Sequence, residues 1–304
     1  NQSWLDHFYL QGFASIENYK IGLFFIFLST YLLTLFGNMI IVLVVCLHVN
    51  LHTPMYFFIT NLSFLEIWYI SLTVPKLLAM LLTNNKRVSF HWCFAQLYMF
   101  HGLGMTECAL LAVMSFDRYL AICDPLRYKS IMNDRLCKGL SLISWSYGFT
   151  SATIPVSFAI ILPFCGPRYI DHYFCDFAPL LKLACINTSL NNIVNICVMG
   201  FAIVFNFIII KIMYINIIHS IMRMKTITRR IKAISTCSSH ITVVMLFYST
   251  GFSVYASPKG LHSVNYDKMF ALVYAMFTPL LNPIIYSLRN KEVKIALRRS
   301  FKLI

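Results

Sequence analysis

The sequence predicts an all-α membrane protein, a bundle of seven transmembrane helices followed by a short amphipathic helix. Its 304 residues are 59% hydrophobic and 12% charged, whereas a soluble globular domain carries roughly 25% charged residues. Apolar stretches recur along the chain, and each can supply the roughly 20 residues that a helix needs to cross a bilayer. Lys and Arg gather in alternate loops. These observations exclude a disordered chain and an ordinary soluble enzyme.

The apolar stretches define the elements in order. Helices are predicted at about 22–47, 55–81, 93–123, 139–162, 191–222, 233–257 and 268–288. The third, fifth and sixth contain polar residues, but each is longer than a buried helix of a soluble protein. The first is too long for the apolar core of a signal peptide, so we interpret 1–21 as a segment that precedes a true membrane helix. No internal repeat is visible, and we expect a single domain, 1–304.

The basic residues predict the orientation. They cluster in 127–138, 223–232 and 289–302, whereas the intervening loops carry few. Basic-rich loops face the cytoplasm, so we expect a multi-pass protein of the plasma membrane with an extracellular N-terminus. The net charge of +14 does not indicate nucleic-acid binding, which requires a basic face on a soluble fold.

Two further features lie near the ends of the chain. Apolar and basic residues alternate through 290–302, a pattern typical of an amphipathic helix on the inner leaflet. At the other end, Asn1 opens a glycosylation sequon. We therefore predict that Asn1 is glycosylated.

Four of the ten cysteines lie at or in predicted extracellular segments, where disulfides persist. They are Cys93, Cys165, Cys175 and Cys185. Four cysteines allow three pairings, and the sequence pattern alone does not choose among them. His172, Cys175 and Asp176 could instead be metal ligands. The disulfide interpretation is favoured, because zinc sites use four ligands and closer cysteine spacing.

Charged residues inside the spans are costly and mark function. About 25 residues separate Cys93 from Arg118, which at 1.5 Å per residue is about 37 Å and places the Asp117-Arg118 pair at the cytoplasmic end. Glu107 lies near mid-membrane, where Glu66 can approach it. Two facing carboxylates would hold a cation, which we expect to be Na⁺, or share a proton. Alternatively, each is satisfied by backbone or by Ser and Asn groups, and both interpretations stay open.

The last span contains two prolines four residues apart, Pro279 and Pro283. Prolines kink a membrane helix and free backbone carbonyls. Asn282 can satisfy those carbonyls and reach a neighbouring polar cluster. A kink with a polar hinge suits a switching helix, although it would equally serve a transporter.

Four separate motifs together resemble one family. They are Leu51–Phe58 (LHTPMYFF), Met114–Cys123 (MSFDRYLAIC), Lys232–His240 (KAISTCSSH) and Pro279–Tyr286 (PLLNPIIY). The third-helix motif looks like that of rhodopsin-like G-protein-coupled receptors, in the form found in odorant receptors, and Thr53 resembles the tetrapod class. The match runs from about Phe8 to Val293. Phe116, Glu66 and Met213 depart from the usual family residues.

The resemblance implies a receptor that couples to a stimulatory, olfactory-type G protein and raises cAMP, at the cilia of olfactory neurons. It implies the disulfides Cys93–Cys175 and Cys165–Cys185. It also implies no enzymatic activity and no cofactor beyond the Na⁺ considered for Glu66 and Glu107. The residues expected to couple and switch are Asp117, Arg118, Tyr119, Tyr214, His240, Asn282, Pro283 and Tyr286.

The predicted ligand site is apolar. Phe100 lies at the depth where receptors for amines typically carry an Asp. No acidic residue lies at that depth here, so a protonated amine would lack a counter-ion. An apolar pocket with few polar groups is the usual build of a small-molecule site. The residues expected to line it are His101, Gly104, Met105, Val198, Met199, Ala202, Phe252 and Tyr255. His101 and Tyr255 would offer hydrogen bonds, whereas the aromatic and Met residues could equally serve helix packing.

A transporter of small solutes is the alternative function. Secondary transporters usually show repeated halves, and no repeat appears here. An intramembrane enzyme would need a paired nucleophile and base, and the polar residues near His101 are too scattered for one. A receptor is therefore the favoured prediction.

Overall fold

The computed structural model of the chain describes residues 6–13, 19–83, 85–165, 168–255, 268–269, 271–289 and 291–302. Its long helices are α1 (Lys20–Leu47), α2 (Pro54–Thr83), α3 (Phe90–Cys123), α4 (Asp134–Ile160), α5 (Ser189–Arg223), α6 (Ile227–Tyr255), α7 (Thr278–Arg289) and α8 (Lys291–Lys302). A π-helical turn, Val273–Phe277, leads into α7. Short helices Tyr128–Ile131 and Phe177–Leu181 lie in the loops that flank α4. The predicted all-α bundle is confirmed.

Length and composition suit most of these helices to a bilayer. Within the described residues, α1, α2, α3, α5 and α6 (through Gly251) are long and apolar enough to cross one. The α4 helix is long enough, but its many Ser and Thr residues make it less apolar. The described part of the seventh, Val273–Tyr286, is a shorter apolar helix.

Capping explains why two helices begin earlier than their apolar stretches. The α4 helix begins at Asp134 rather than at 139, because the Asn133 side chain accepts a hydrogen bond from the Leu136 amide at 2.9 Å. The α3 helix begins at Phe90 rather than at 93, with Ser89 as its cap. A cap satisfies amides that the helix leaves unpaired, so a polar first turn extends the helix past the apolar segment.

Glycine brings α4 close to α3. A Cβ atom on Gly148 would lie 2.6 Å from the Gly102 carbonyl oxygen and nearer still to the Thr106 hydroxyl. Only a residue without a side chain fits there, so the two backbones pack in direct contact. Most of α3 is buried, which makes it the central helix on which the functional groups are arranged.

A three-stranded sheet covers one end of the bundle, here called the sheet end; the opposite end is called the α8 end. Strand β1 (His7–Leu10) lies between β2 (Arg87–Ser89), to which it is antiparallel, and β3 (Tyr169–Ile170), to which it is parallel. Phe8 and Leu10 are fully buried, whereas their neighbours are partly exposed. The sequence analysis did not predict this sheet, and the two-residue alternation in β1 is the signal it missed.

A backbone carbonyl that Pro283 leaves unpaired in α7 accepts a hydrogen bond from another helix. The Asn38 amide of α1 donates to the Pro279 carbonyl oxygen at 3.3 Å. Asn282 donates its amide hydrogen bond to Glu66. This confirms the prediction that it reaches a neighbouring polar cluster, whereas Asn38 and not Asn282 serves the freed carbonyl. The hinge is therefore held by both α1 and α2.

Candidate functional site

A cavity lies between α2, α3, α5, α6 and the π-helical turn. Its lining is aromatic and aliphatic with a few polar groups, from Tyr69, Phe100, His101, Gly104, Met105, Cys108, Ile203, Phe247, Tyr248, Gly251 and Tyr274. The free volume is about 20 Å³, roughly the space of one water molecule. Small-molecule pockets measure roughly 300–1,000 Å³, so a ligand must displace side chains to bind here.

The predicted pocket residues separate into three groups. His101, Gly104 and Met105 line the cavity. Met199 packs in a cluster with Met105 and Ala202. Val198 and Ala202 line a separate groove between α4 and α5. The side chains of Phe252 and Tyr255 lie outside the described residues.

The sequence analysis missed three tyrosines of the cavity, Tyr69, Tyr248 and Tyr274. They come from α2, α6 and the π-helical turn, so no local motif unites them. Gly104 is explained by one of them, because a Cβ atom there would lie 3.0 Å from the Tyr274 hydroxyl oxygen. A tyrosine within an otherwise aliphatic span was the available signal, since its hydroxyl needs a partner.

His101 is the polar group that the sequence analysis singled out, and its hydrogen bonding defines what it offers. Its Nδ1 lies 2.9 Å from the Leu97 carbonyl oxygen. A carbonyl oxygen only accepts, so Nδ1 carries the hydrogen. In the neutral ring Nε2 is then a hydrogen-bond acceptor. The cavity thus offers an acceptor to a ligand hydroxyl.

The lid, residues 168–181 of the loop between α4 and α5, closes the cavity at the sheet end. Phe174 and Phe177 are buried, with the Phe174 ring centroid 4.6 Å from that of Phe100 and the Phe177 ring 6.0 Å from His101. Gln96 of α3 fixes the lid from below, because its side-chain oxygen accepts a hydrogen bond from the Cys175 amide at 2.9 Å.

Two disulfides hold the lid and its loop. Cys93 is bonded to Cys175 and Cys165 to Cys185, with Cα atoms 5.4 and 5.7 Å apart, within the range that disulfides adopt. These are the pairings that the family resemblance implies. Because Cys175 is bonded to Cys93, it is not a thiolate ligand beside His172. The metal interpretation of that segment is therefore wrong.

The lid is also tied to the N-terminal segment and to the start of the last span. Lys268 is buried and forms an ion pair with Asp171, and its ammonium donates to the Gly12 carbonyl oxygen at 3.1 Å. The Gly12 amide donates to the His172 carbonyl oxygen at 3.1 Å. Burial lowers the pKa of His172 to about 4, so this imidazole is neutral at pH 7.

Three polar side chains meet at the centre of the bundle. Glu66, Glu107 and Asn282 are almost fully buried, and the two carboxyl groups are close enough to interact. One oxygen of Glu66 accepts the Asn282 amide. Glu66 Oε2 and Glu107 Oε1 receive no hydrogen bond from a donor group among the described residues. The structure therefore gives Glu66 one satisfied oxygen and leaves one oxygen of each acid available.

At the α8 end, Arg118 is held by its neighbour in α3. Its Nε donates to Asp117 Oδ2 at 2.9 Å, and both side chains are buried. The Tyr128 hydroxyl donates to the other oxygen, Asp117 Oδ1, at 2.7 Å. Burial, and next the Asp117 charge, raise the pKa of Tyr128 above its ordinary value. The sequence analysis missed Tyr128, which carries no motif of its own.

The other predicted switch residues surround this pair. The Tyr214 hydroxyl and His240 Nδ1 lie 2.7 Å apart and link α5 to α6. Tyr286 is buried, and its hydroxyl has no hydrogen-bond partner among the described residues. Tyr119 is half-buried against the core. Pro283 faces Gly37 of α1, where a Cβ atom would lie 3.2 Å from the proline ring.

Comparison with known proteins decides the family. The model of the olfactory receptor family matches residues 27–302. The chain is 46% identical over 304 residues to human olfactory receptor 6N1, covering 100% of this chain and 97% of that protein. It is 44% identical over 296 residues to mouse olfactory receptor 6B9, covering 97% and 94%.

The chain belongs to the olfactory receptor family. This olfactory receptor is therefore a G-protein-coupled receptor and a multi-pass membrane protein, and it is a signalling receptor rather than an enzyme. Membership of the family also implies a small-molecule ligand and a G-protein partner.

A solved structure supports the receptor's fold. Squid rhodopsin superimposes with a TM-score of 0.74 at 16% sequence identity, covering 94% of this chain and 86% of that chain. At this identity the likeness concerns the fold alone. The two proteins thus share the seven-helix fold.

Proposed function

We propose that this olfactory receptor binds small, mostly apolar volatile compounds in the cavity of α3, α6 and the π-helical turn and then activates a stimulatory, olfactory-type G protein that raises cAMP. The observation that carries the proposal is the cavity itself. Aromatic and aliphatic side chains dominate its lining, and no described lining residue is acidic. Such a site favours uncharged ligands and offers no counter-ion to an amine.

The ligand would carry one polar group. The acceptor nitrogen of His101 suits a hydroxyl, and the tyrosine hydroxyls Tyr69, Tyr248 and Tyr274 surround the same space. The free volume is far smaller than a volatile compound, so binding must move side chains. Met105 is suited to this, since methionine is unbranched and adapts to irregular gaps.

Signalling to the G protein would involve the side chains around Arg118 at the α8 end. Arg118 is bonded to Asp117, and the Tyr214 hydroxyl is bonded to His240, as we would expect in a resting receptor. On activation Arg118 would leave Asp117 and meet the G protein, with Tyr214 and Tyr286 beside it. Tyr128 stabilises the resting pair, because its hydroxyl bond compensates part of the buried charge of Asp117.

The two central acids would hold a sodium ion or share a proton. Two bare carboxylates in a low-dielectric site repel strongly, so one must be neutralised. Glu66, Glu107 and Asn282 offer oxygen atoms, which are the ligands that hard cations prefer. The available oxygens Glu66 Oε2 and Glu107 Oε1 are the atoms that either partner would use.

The sheet end would face outward at the cilia of olfactory neurons. The basic loops at the α8 end support this orientation, as do the disulfides at the sheet end, which require an oxidising compartment. Asn1 lies outside the described residues, and its glycosylation in the same compartment remains part of the proposal.

A panel of volatile compounds applied to cells that express the chain and an olfactory-type G protein tests the proposal, with cAMP as the readout. We expect apolar alcohols to be among the agonists. Arg118→Ala should abolish the response while surface display persists, and Arg168→Ala, at an exposed arginine of the lid, should respond normally. Normal signalling by Arg118→Ala would refute the role of Arg118 in coupling. Flux of a labelled solute without cAMP would refute the proposal as a whole and favour a transporter.

A further inference from the structure

A groove opens between α4 and α5 on the surface that faces lipid. Its volume is about 790 Å³, far larger than that of the cavity. Thr150 and Ser146 of α4 and Cys197 and Phe201 of α5 form its exposed rim. Its lining is otherwise largely apolar, so hydrocarbon and small apolar molecules dissolved in the bilayer can occupy it.

One layer of side chains separates this groove from the cavity. Met105, Met199 and Ala202 form a small buried cluster, with Ile203 packed against it. Met105 and Ile203 line the cavity on one side, and Ala202 lines the groove on the other. Two of the four are methionines, which change shape at little cost because they are unbranched and have three rotatable bonds.

In the part of the chain that the structure describes, the route from water is more firmly closed than the route from lipid. Phe174 and Phe177 of the lid are buried over the cavity, and a disulfide joins the lid to α3 through Cys175. The ion pair of Lys268 with Asp171 and the strand pairing of β1 with β3 hold the lid from above. A ligand arriving from water would have to break several of these interactions together.

We infer that apolar ligands reach the cavity from the bilayer, through the groove between α4 and α5, with Met105 and Met199 as the gate. The inference rests on the proposed function, since it concerns the ligands of that cavity. Apolar molecules concentrate in hydrocarbon because leaving water is favourable. The hydroxyls of Ser146 and Thr150 can pair with the single polar group of a ligand in transit, where water is absent.

The test blocks the rim of the groove and measures how fast the response begins and ends. Thr150→Trp places an indole over the groove, and Thr153→Trp is the matched control, an exposed threonine of the same helix that does not line it. With an agonist from the volatile panel, we expect Thr150→Trp to slow the onset and the washout of the response about tenfold, within the range over which association rates vary among related complexes. The steady-state EC50 should be unchanged, because a barrier slows both directions equally.

A variant of the lid tests the alternative route, from water. Lys268→Met removes the ion pair with Asp171 and loosens the route from water, and we expect no faster onset. Unchanged rates in a displayed Thr150→Trp receptor, or a faster onset in Lys268→Met, would overturn the inference. Ser146→Trp blocks the same rim if Thr150→Trp is not displayed. A wild-type receptor that answers no volatile compound refutes the proposed function instead, so the two failures are distinguishable.

Discussion

Acidification should loosen the lid through His172. The imidazole is buried between lid aromatics, with ring centroids 4.7 Å from Tyr173 and 4.4 Å from Phe174. Its Nδ1 accepts the Phe174 amide at 3.4 Å, a bond that protonation of Nδ1 would remove. The charged groups that face it are Asp171, Asp176 and Lys268.

The loss of stability of the closed lid follows from the pKa of His172. Burial lowers the pKa of His172 to about 4 in the closed lid, whereas an exposed histidine has a pKa of about 6.5. An open lid therefore binds a proton first as the pH falls. The closed lid has its full stability above pH 6.5, loses it progressively toward pH 4, and loses no more below that value. At pH 5 the loss is about 2 kcal/mol, or about thirtyfold in the population of open lid.

Hydrogen–deuterium exchange of the lid peptides, corrected for the intrinsic pH dependence of exchange, measures this population. Protection should fall about thirtyfold between pH 7.5 and pH 5 in the wild-type receptor. His172→Gln retains an acceptor for the Phe174 amide but does not titrate, so its protection should stay constant. His91→Gln, at an exposed histidine, should behave as wild type. An equal loss in His172→Gln would show that another group controls the lid.

Three further predictions concern the disulfide, the helix contact and the acids. Cys175→Ser should lose both surface display and response, because a disulfide is typically worth about 2–4 kcal/mol; Cys197→Ser, at an exposed free cysteine, should retain both. Gly148→Ala should lower the free energy of unfolding by about 1–3 kcal/mol through overpacking, whereas Gly139→Ala, with open space around it, should not. Equal stabilities of the two variants would refute the close contact between α3 and α4. Glu107→Gln should weaken any sodium dependence of signalling. An unchanged sodium response in a well-displayed variant would refute the sodium site and favour the alternative, in which neighbouring polar groups satisfy the two acids.

The sequence predicted what depends on local composition. The lengths of the apolar stretches located the helices, and the family resemblance pointed to Arg118 and to the disulfide of Cys175. Helix boundaries were less predictable, because caps such as Asn133 extend α4 beyond its apolar residues.

The remaining features depend on contacts between distant segments. Strand β1 exists because loops from two other parts of the chain pair with it. Tyr128 contacts Asp117 through the fold alone. Val198 and Ala202 were assigned to the pocket from their depth in α5, but depth does not fix the direction in which a helix presents a side chain, and the structure places both in the groove.

Consecutive residues of α3 connect the cavity to the centre of the bundle. Cys108 lines the cavity opposite Tyr248, and the preceding residue, Glu107, interacts with Glu66. Adjacent residues of a helix share one backbone, so a ligand that shifts the α3 backbone at Cys108 would also shift Glu107. Glu66 in turn holds Asn282, the neighbour of Pro283 in α7. Coupling needs an element with two arrangements that both sites bias. The α7 helix contains Pro283 and is joined to α2 through Asn282 and Glu66, so it is suited to that role.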